Sequence, residues 1–369
     1  MPLRALVGAQ VFDGTRLHDG RAVLIDGDAQ VVPEAEVPAG AAVERLTGGV
    51  LLAGCVDLQV NGGGGVMFND APSPDTLRRI TEAHRERGTV ALLPTLITDT
   101  PGQTRAAIEA VAGGSIPGII GLHLEGPHLS VARKGAHDPA LIRAMGAEDL
   151  EVLCAAAQRL QNLMITVAPE TVPAPQIAQL VGAGAVVSLG HSDAGYATCR
   201  AAMEAGAQCT THLFNAMSPL GNREPGLVGA TLDTGGQHAG LIADGIHVHP
   251  ATIRAALSAK VGPGAVFLVT DAMSTVGSDI TAFTLNDRQI LRRDGRLTLA
   301  DGTLAGADVD MPRALRVMVE EVGVPLEQAL RMATTGPAAV LGDARLGRLQ
   351  DGTREVLHLS TDYEVTWFA

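Results

Sequence analysis

Aromatic residues are scarce in this chain: one Trp, two Tyr and six Phe among 369 residues. A surface that stacks nucleobases on aromatic rings is therefore excluded, and the core has to be aliphatic. Cysteine is scarce as well. Cys55, Cys154, Cys199 and Cys209 lie far apart and form no C-x-x-C pair, which excludes a disulfide framework and a structural zinc knuckle. They read as small buried hydrophobes in a reducing compartment. Positive charge is outnumbered, 27 Lys and Arg against 40 Asp and Glu, for a net charge of −13. Such a surface repels nucleic acid and anionic lipid, so an anionic ligand must find its cations locally. No apolar run approaches the roughly 20 residues of a membrane helix, and the amino terminus lacks a basic segment followed by an apolar one. The expectation is a cytoplasmic protein without nucleic-acid or membrane partners.

Hydrophobic residues, by contrast, make up 46% of the chain and charged residues 18%, enough for a large buried core. The length fits one large domain plus a small one. Short strand-like runs with Gly, Pro and Asp punctuation occupy the amino-terminal end (Leu3–Val7, Val11–Phe12, Ala22–Ile25) and return at the carboxyl end (Val356–Leu359, Val365–Phe368). Neither set is long enough to fold alone. Between them, eight apolar runs alternate with helical stretches: Gly54–Val60, Val90–Leu93, Ile119–Leu124, Leu163–Val167, Val186–Leu189, Cys209–His212, Ala239–Ile242 and Val266–Val269. Ser73-Pro74 is a helix-start signal after the first of them. Continuous apolar runs suit strands buried on both faces. The expected fold is α/β, a (β/α)8 TIM-like barrel over residues 51–343, with a small β-sandwich domain built from both termini, 1–50 and 344–369.

Polar residues collect just after the carboxyl ends of these runs: Gln59 and Asn61 after the first, Glu125 after the third, His191 after the fifth, His212 after the sixth, His247 beyond the seventh and Asp271 after the eighth. In a barrel all of these points face one rim, where the loops build the active site. Glu125, His191 and His212 make a three-donor set for one divalent metal. Two imidazoles and a carboxylate suit zinc, and iron or cobalt fit the same donors. Asp271, at the end of an apolar strand beside such a metal, is placed to act as a general acid and base.

With these residues in view, the chain resembles the N-acetylglucosamine-6-phosphate deacetylases of the amidohydrolase superfamily. The resemblance is carried by Asp57-Leu58-Gln59-Val60-Asn61-Gly62, His123-Leu124-Glu125-Gly126-Pro127, Lys134-Gly135-Ala136-His137-Asp138-Pro139, Gly190-His191-Ser192, Thr211-His212-Leu213-Phe214-Asn215-Ala216-Met217, Arg223-Glu224-Pro225-Gly226, Ala243-Asp244-Gly245-Ile246-His247-Val248 and Thr270-Asp271-Ala272, in that family's order. It implies that Glu125, His191 and His212 hold the metal and that Asp271 is the acid/base. His247 would polarise the acetyl carbonyl and also touch the substrate. His137 would contact the sugar, Asn215 and Ala216 would offer donors to the sugar phosphate, and Arg223 would reach that phosphate from the neighbouring subunit of a homodimer. Many amidohydrolases carry H-x-H after the first strand for a second metal. Here the place reads Gln59-Val60-Asn61, and amides are poor zinc ligands beside imidazole, so the second position is expected vacant or weak. That departure argues against a binuclear hydrolase of cyclic amides or dipeptides.

The expected activity is hydrolysis of the acetamide of N-acetylglucosamine 6-phosphate to glucosamine 6-phosphate and acetate, in amino-sugar catabolism or recycling. Two alternatives stay open: the galactosamine epimer as substrate, which one hydroxyl distinguishes, and a non-catalytic sugar-phosphate-binding barrel. Cys55 and the Gly63–Gly65 run receive no role.

Overall fold

The computed structural model describes residues 3–286 and 288–369. Its centre is an eight-stranded parallel sheet: β1 (Cys55–Val60), β2 (Thr89–Ile97), β3 (Leu122–Glu125), β4 (Leu163–Val167), β5 (Val186–Leu189), β6 (Cys209–Thr210), β7 (His238–Ile242) and β8 (Val266–Val269). Each strand pairs with its neighbour in sequence. Barrel closure comes from the seam between β8 and β1. There the Asp271 N–H donates to Gln59 O at 2.9 Å, the Asn61 N–H donates to Ala272 O at 2.9 Å, and the buried Asp57 carboxyl accepts from the Thr270 hydroxyl. Every residue of β1, β3, β4 and β8 is buried, as their unbroken apolar runs require.

Seven helices alternate with these strands: α1 (Pro74–Arg85), α2 (Pro101–Ala112), α3 (Ala147–Arg159), α4 (Ala174–Gly182), α5 (Tyr196–Glu204), α6 (Gly226–Asp233) and α7 (Pro250–Ala259). Ser73 caps α1 by accepting from the Thr76 N–H, with Pro74 at the first turn. The expected elements hold, with two instructive boundary shifts. β2 runs on past Leu93 to Ile97, because Pro94 sits where the register against β1 slips and no ladder donor is needed. β6 stops at Thr210, and His212 turns out of the sheet with a φ of 31°.

The two chain ends meet in β-structure, as expected. One four-stranded sheet combines Asp28–Pro33, Arg21–Asp26, Arg4–Val7 and Ala42–Arg45. A five-stranded sheet sets Val365–Phe368 and Val356–Leu359 beside Val50–Leu52, Gln10–Phe12 and Leu17–His18. Leu6, Val11, Val23, Leu51, Val356 and Phe368 form their shared core. The Trp367 indole N–H donates to Arg85 O at 2.8 Å and ties this unit to α1.

One element was not expected. After β8 the chain makes an antiparallel meander, β9 (Ala282–Leu285), β10 (Arg288–Arg293), β11 (Arg296–Thr298) and β12 (Leu304–Ala307). Its longest strand, Arg288–Arg293, is mostly charged or polar, but Asp294-Gly295, with φ of 51° and 71°, is a tight-hairpin signal. Leu285, Ile290, Leu297 and Ala305 from this meander pack on Met67, Ile97 and Met273, a cluster separate from the barrel core. The β12 strand is stitched to the end of β8: Ala307 N–H donates to Asp271 O at 3.0 Å, and Met273 N–H to Ala307 O at 3.2 Å. The Gly63–Gly65 run also gains an account. It threads between α1 and the loop after β8, where a Cβ on Gly63 would lie 2.9 Å from His84 Cδ2. Cys55 lies in the barrel core, its thiol pushed up to about 12 by burial.

Candidate metal centre

Glu125 is the last residue of β3, and His191 and His212 follow β5 and β6. All three side chains are buried, and their ligand atoms lie within 4.8 Å of one another. Glu125 Oε1 stands 3.0 Å from His191 Nε2 and 2.9 Å from His212 Nε2, and the two Nε2 atoms are 3.0 Å apart. His191 Nδ1 faces the Arg133 carbonyl at 2.8 Å, so Nδ1 carries the proton and Nε2 presents a lone pair. Three donor atoms converging at such distances in a buried place could hold one cation between them, and the carboxylate-plus-two-imidazole set fits a divalent metal with an open position. Backbone strain marks the same spot: His191, His212 and Asp271 all have left-handed φ, at 48°, 31° and 52°. Burial opposes ionisation of Glu125, yet the two imidazoles beside it hold its carboxyl well below the usual range.

Asp271 adjoins this centre, lining the same cavity and sharing the Gln59 amide with Glu125. Its Oδ1 accepts from Asn61 Nδ2 at 2.7 Å and from Gln59 Nε2 at 2.9 Å, and Gln59 Nε2 also lies 3.3 Å from Glu125 Oε2. The two amides at the expected second-metal position are thus hydrogen-bond donors to Asp271. Burial first, then the nearby Glu125 charge, push the Asp271 carboxyl up to about 6, against the pull of His212 and the Asn61 donor.

The remaining expected residues are partly gathered. His247 lines the same cavity, its Nδ1 2.6 Å from Asp244 Oδ2, while Asp244 Oδ1 accepts the N–H groups of Ile246 and His247 at 2.8 Å. Burial resists the Asp244 charge, but the bonds from His247 bring its carboxyl below the ordinary value. Asp244 stands three residues before His247 in the same motif, and that spacing is the sequence signal for its role. His137 packs edge-on against His191, ring centroids 4.3 Å apart, and its Nδ1 accepts from the Thr98 N–H at 3.3 Å, which leaves the proton on Nε2. Asn215 and Ala216 line the cavity, although the Asn215 N–H and amide turn back on the carbonyls of His212 and Leu213. Arg223 is not brought in. It is exposed and outside the cavity lining, on a loop pinned by Glu224, which accepts from the Tyr196 N–H at 2.7 Å and the Gly226 N–H at 3.0 Å. Arg133, paired with Asp193 at 2.7 Å, is a cation on the cavity wall that the sequence did not single out.

The cavity measures about 390 Å³, room for one sugar-phosphate-sized ligand. Its roof comes from the unexpected meander through Leu285, Thr303, Leu304 and Gly306.

The amidohydrolase family model matches residues 50–354. The chain belongs to the amidohydrolase family. Among relatives of this amidohydrolase, an N-acetylgalactosamine-6-phosphate deacetylase of Shewanella sp. (strain ANA-3) is 48% identical over 311 residues, covering 84% of this chain and 78% of the relative. An N-acetylglucosamine-6-phosphate deacetylase of Haemophilus influenzae is 37% identical over 357 residues, 94% of this chain and 92% of that one. The crystal structure of the N-acetylglucosamine-6-phosphate deacetylase from Pasteurella multocida superposes with a TM-score of 0.93 at 36% identity, covering 100% of both chains. The resemblance drawn from the motifs and the barrel expectation are both borne out.

Proposed function

We propose that this amidohydrolase hydrolyses the acetamide of N-acetylglucosamine 6-phosphate to glucosamine 6-phosphate and acetate. The observation that carries the reading is the convergence of Glu125, His191 and His212 on one point, with a raised-pKa carboxyl, Asp271, beside it in a single cavity. The triad would hold one divalent cation, with zinc the ion its donors favour. Bound there, such a cation supplies Lewis acidity to a carbonyl oxygen and to water.

The protein's own groups do the rest. With Oδ1 held by Gln59 and Asn61, Asp271 keeps Oδ2 free to take the proton of the attacking water. That proton then passes to the amine nitrogen as the C–N bond breaks. Asp244 fixes the ring of His247, whose Nε2 is left for the substrate, and His137 offers Nε2–H to the sugar. The phosphate falls to Asn215, Ala216 and Arg133 within the subunit. Arg223, exposed on its pinned loop, is assigned to a second copy's cavity in a homodimer. The same reading places the enzyme in the cytoplasm: its four described cysteines are free, and no helix among the described residues is long and apolar enough to cross a membrane. It divides the chain at 50/51 and 343/344 into the β unit and the barrel.

The galactosamine epimer is the second reading, favoured by the 48% identical relative that bears that name. Acetate release measured in parallel from the two epimeric N-acetylhexosamine 6-phosphates tests both. A kcat/KM at least about tenfold higher for the glucosamine substrate supports the first reading, and the reverse preference replaces it with the second. Release from neither overturns the deacetylase reading and leaves a binding barrel.

A further inference from the structure

The walls of the cavity divide by chemistry. Around the candidate metal centre they are mostly polar, with Ile242 the one large apolar residue, whereas Ile97, Met273, Leu285 and Leu304 form an apolar face. Three of these, Ile97, Met273 and Leu285, belong to the roof cluster and are 5%, 2% and 0% exposed. The face adjoins the reacting centre directly. Met273 is two residues beyond Asp271, and β12 hydrogen-bonds to both, through Ala307 N–H to Asp271 O at 3.0 Å and Met273 N–H to Ala307 O at 3.2 Å.

A substrate amide whose carbon lies between the triad and Asp271 carries two substituents. Its nitrogen bears the hydroxylated, phosphorylated sugar, which needs donors and cations. Its acyl tail is the one apolar part. Burying that tail against polar groups forfeits their hydrogen bonds, so it belongs on the apolar face. We infer that Ile97, Met273 and Leu285 form an acyl slot, and that Met273 and Leu285 close it behind a two-carbon acyl group. The inference rests on the deacetylase reading. Depth is limited because the slot has no soft back: Ile290 and Leu297, both 0% exposed, pack in the same cluster. Met273 is also held in place. Gly306 has φ +67°, and a Cβ there would lie 2.5 Å from Met273 Cγ and Sδ, so the side chain rests flush on the bare glycine.

Shortening these side chains should confer hydrolysis of longer N-acyl groups. The bond changes are those of the proposed reaction: water adds to the acyl carbon, the C–N bond breaks, and carboxylate and amine leave. The experiment compares kcat/KM for N-acetyl-, N-propionyl- and N-butyryl-hexosamine 6-phosphate. A methylene that does not fit a hydrophobic pocket costs about 10- to 200-fold, so wild type should lose at least about tenfold on butyryl. Leu285→Ala and Met273→Ala should each raise the butyryl-to-acetyl ratio about tenfold or more. Leu285→Val and Ile97→Val, which leave smaller cavities, should raise the propionyl ratio alone and serve if the alanine variants fail to fold. Asn215→Ala should scale all three substrates equally. The ratio does not depend on the fraction of folded enzyme. A ratio within about twofold of wild type in variants that melt cooperatively overturns the slot, as does a wild type that takes butyryl as readily as acetyl. If wild type releases no acetate from either epimer, the deacetylase reading has failed and the slot falls with it.

Discussion

The two sides of the barrel mouth are built from the same strand-end positions and do different work. After β5 and β6 the chain places imidazoles, and with Glu125 they aim three ligand atoms at one point. After β1 it places amides, and Gln59 and Asn61 both turn N–H groups onto Asp271, with Gln59 also reaching Glu125 Oε2. An imidazole lone pair invites a cation, whereas an amide nitrogen can only donate, so one side collects positive charge and the other steadies a carboxylate. The proposed function draws on that asymmetry for one metal position and one proton carrier.

The comparison can be broken most severely on the imidazole side. His191→Ala removes a ligand and should abolish both bound metal and turnover; retention of stoichiometric metal and activity would show that the ligand set is wrong. Asp271→Asn should keep the metal and lower kcat by about 10²- to 10⁴-fold, and a loss smaller than about tenfold removes the acid/base role. Asp244→Asn leaves the metal donors untouched and unfixes the His247 ring; a fall of about tenfold to a hundredfold in kcat with unchanged metal content is expected. On the amide side the effects are smaller. Activity should fall as the pH drops through about 6, because the proton taken up there occupies the base, Asp271, whose carboxyl burial raises to that range. Asn61→Ala removes a bond that favours the charged form, so this acid limb should move to higher pH while the plateau changes by no more than about tenfold. A limb that stays in place would detach Asn61 from Asp271.

Much of this asymmetry was legible in the sequence. Strands buried on both faces read as continuous apolar runs, and a closed barrel turns their ends into one rim, so Glu125, His191, His212 and Asp271 could be grouped without coordinates. What escaped was set by local geometry instead of periodicity. Arg133 serves through its backbone carbonyl, which no side-chain pattern reports. Asp244 acts at short range on His247 and sat unassigned within a recognised motif. The strands of the roof meander are short, and Arg288–Arg293 and Arg296–Thr298 bury one residue each, Ile290 and Leu297, so they carried no clear strand signal, although the Asp294-Gly295 turn did. Arg223 is the reverse case. The family resemblance gives it a role, but within one subunit nothing draws it to the cavity.

The central claim is one divalent cation per subunit, held on the imidazole side and independent of the proton carrier. Elemental analysis of the purified enzyme beside its Asp271→Asn and His191→Ala variants tests it most directly. The account predicts one metal ion per subunit in wild type and in Asp271→Asn, and none in His191→Ala. Two ions per subunit, or an Asp271→Asn protein that has lost its metal while His191→Ala keeps it, would contradict it.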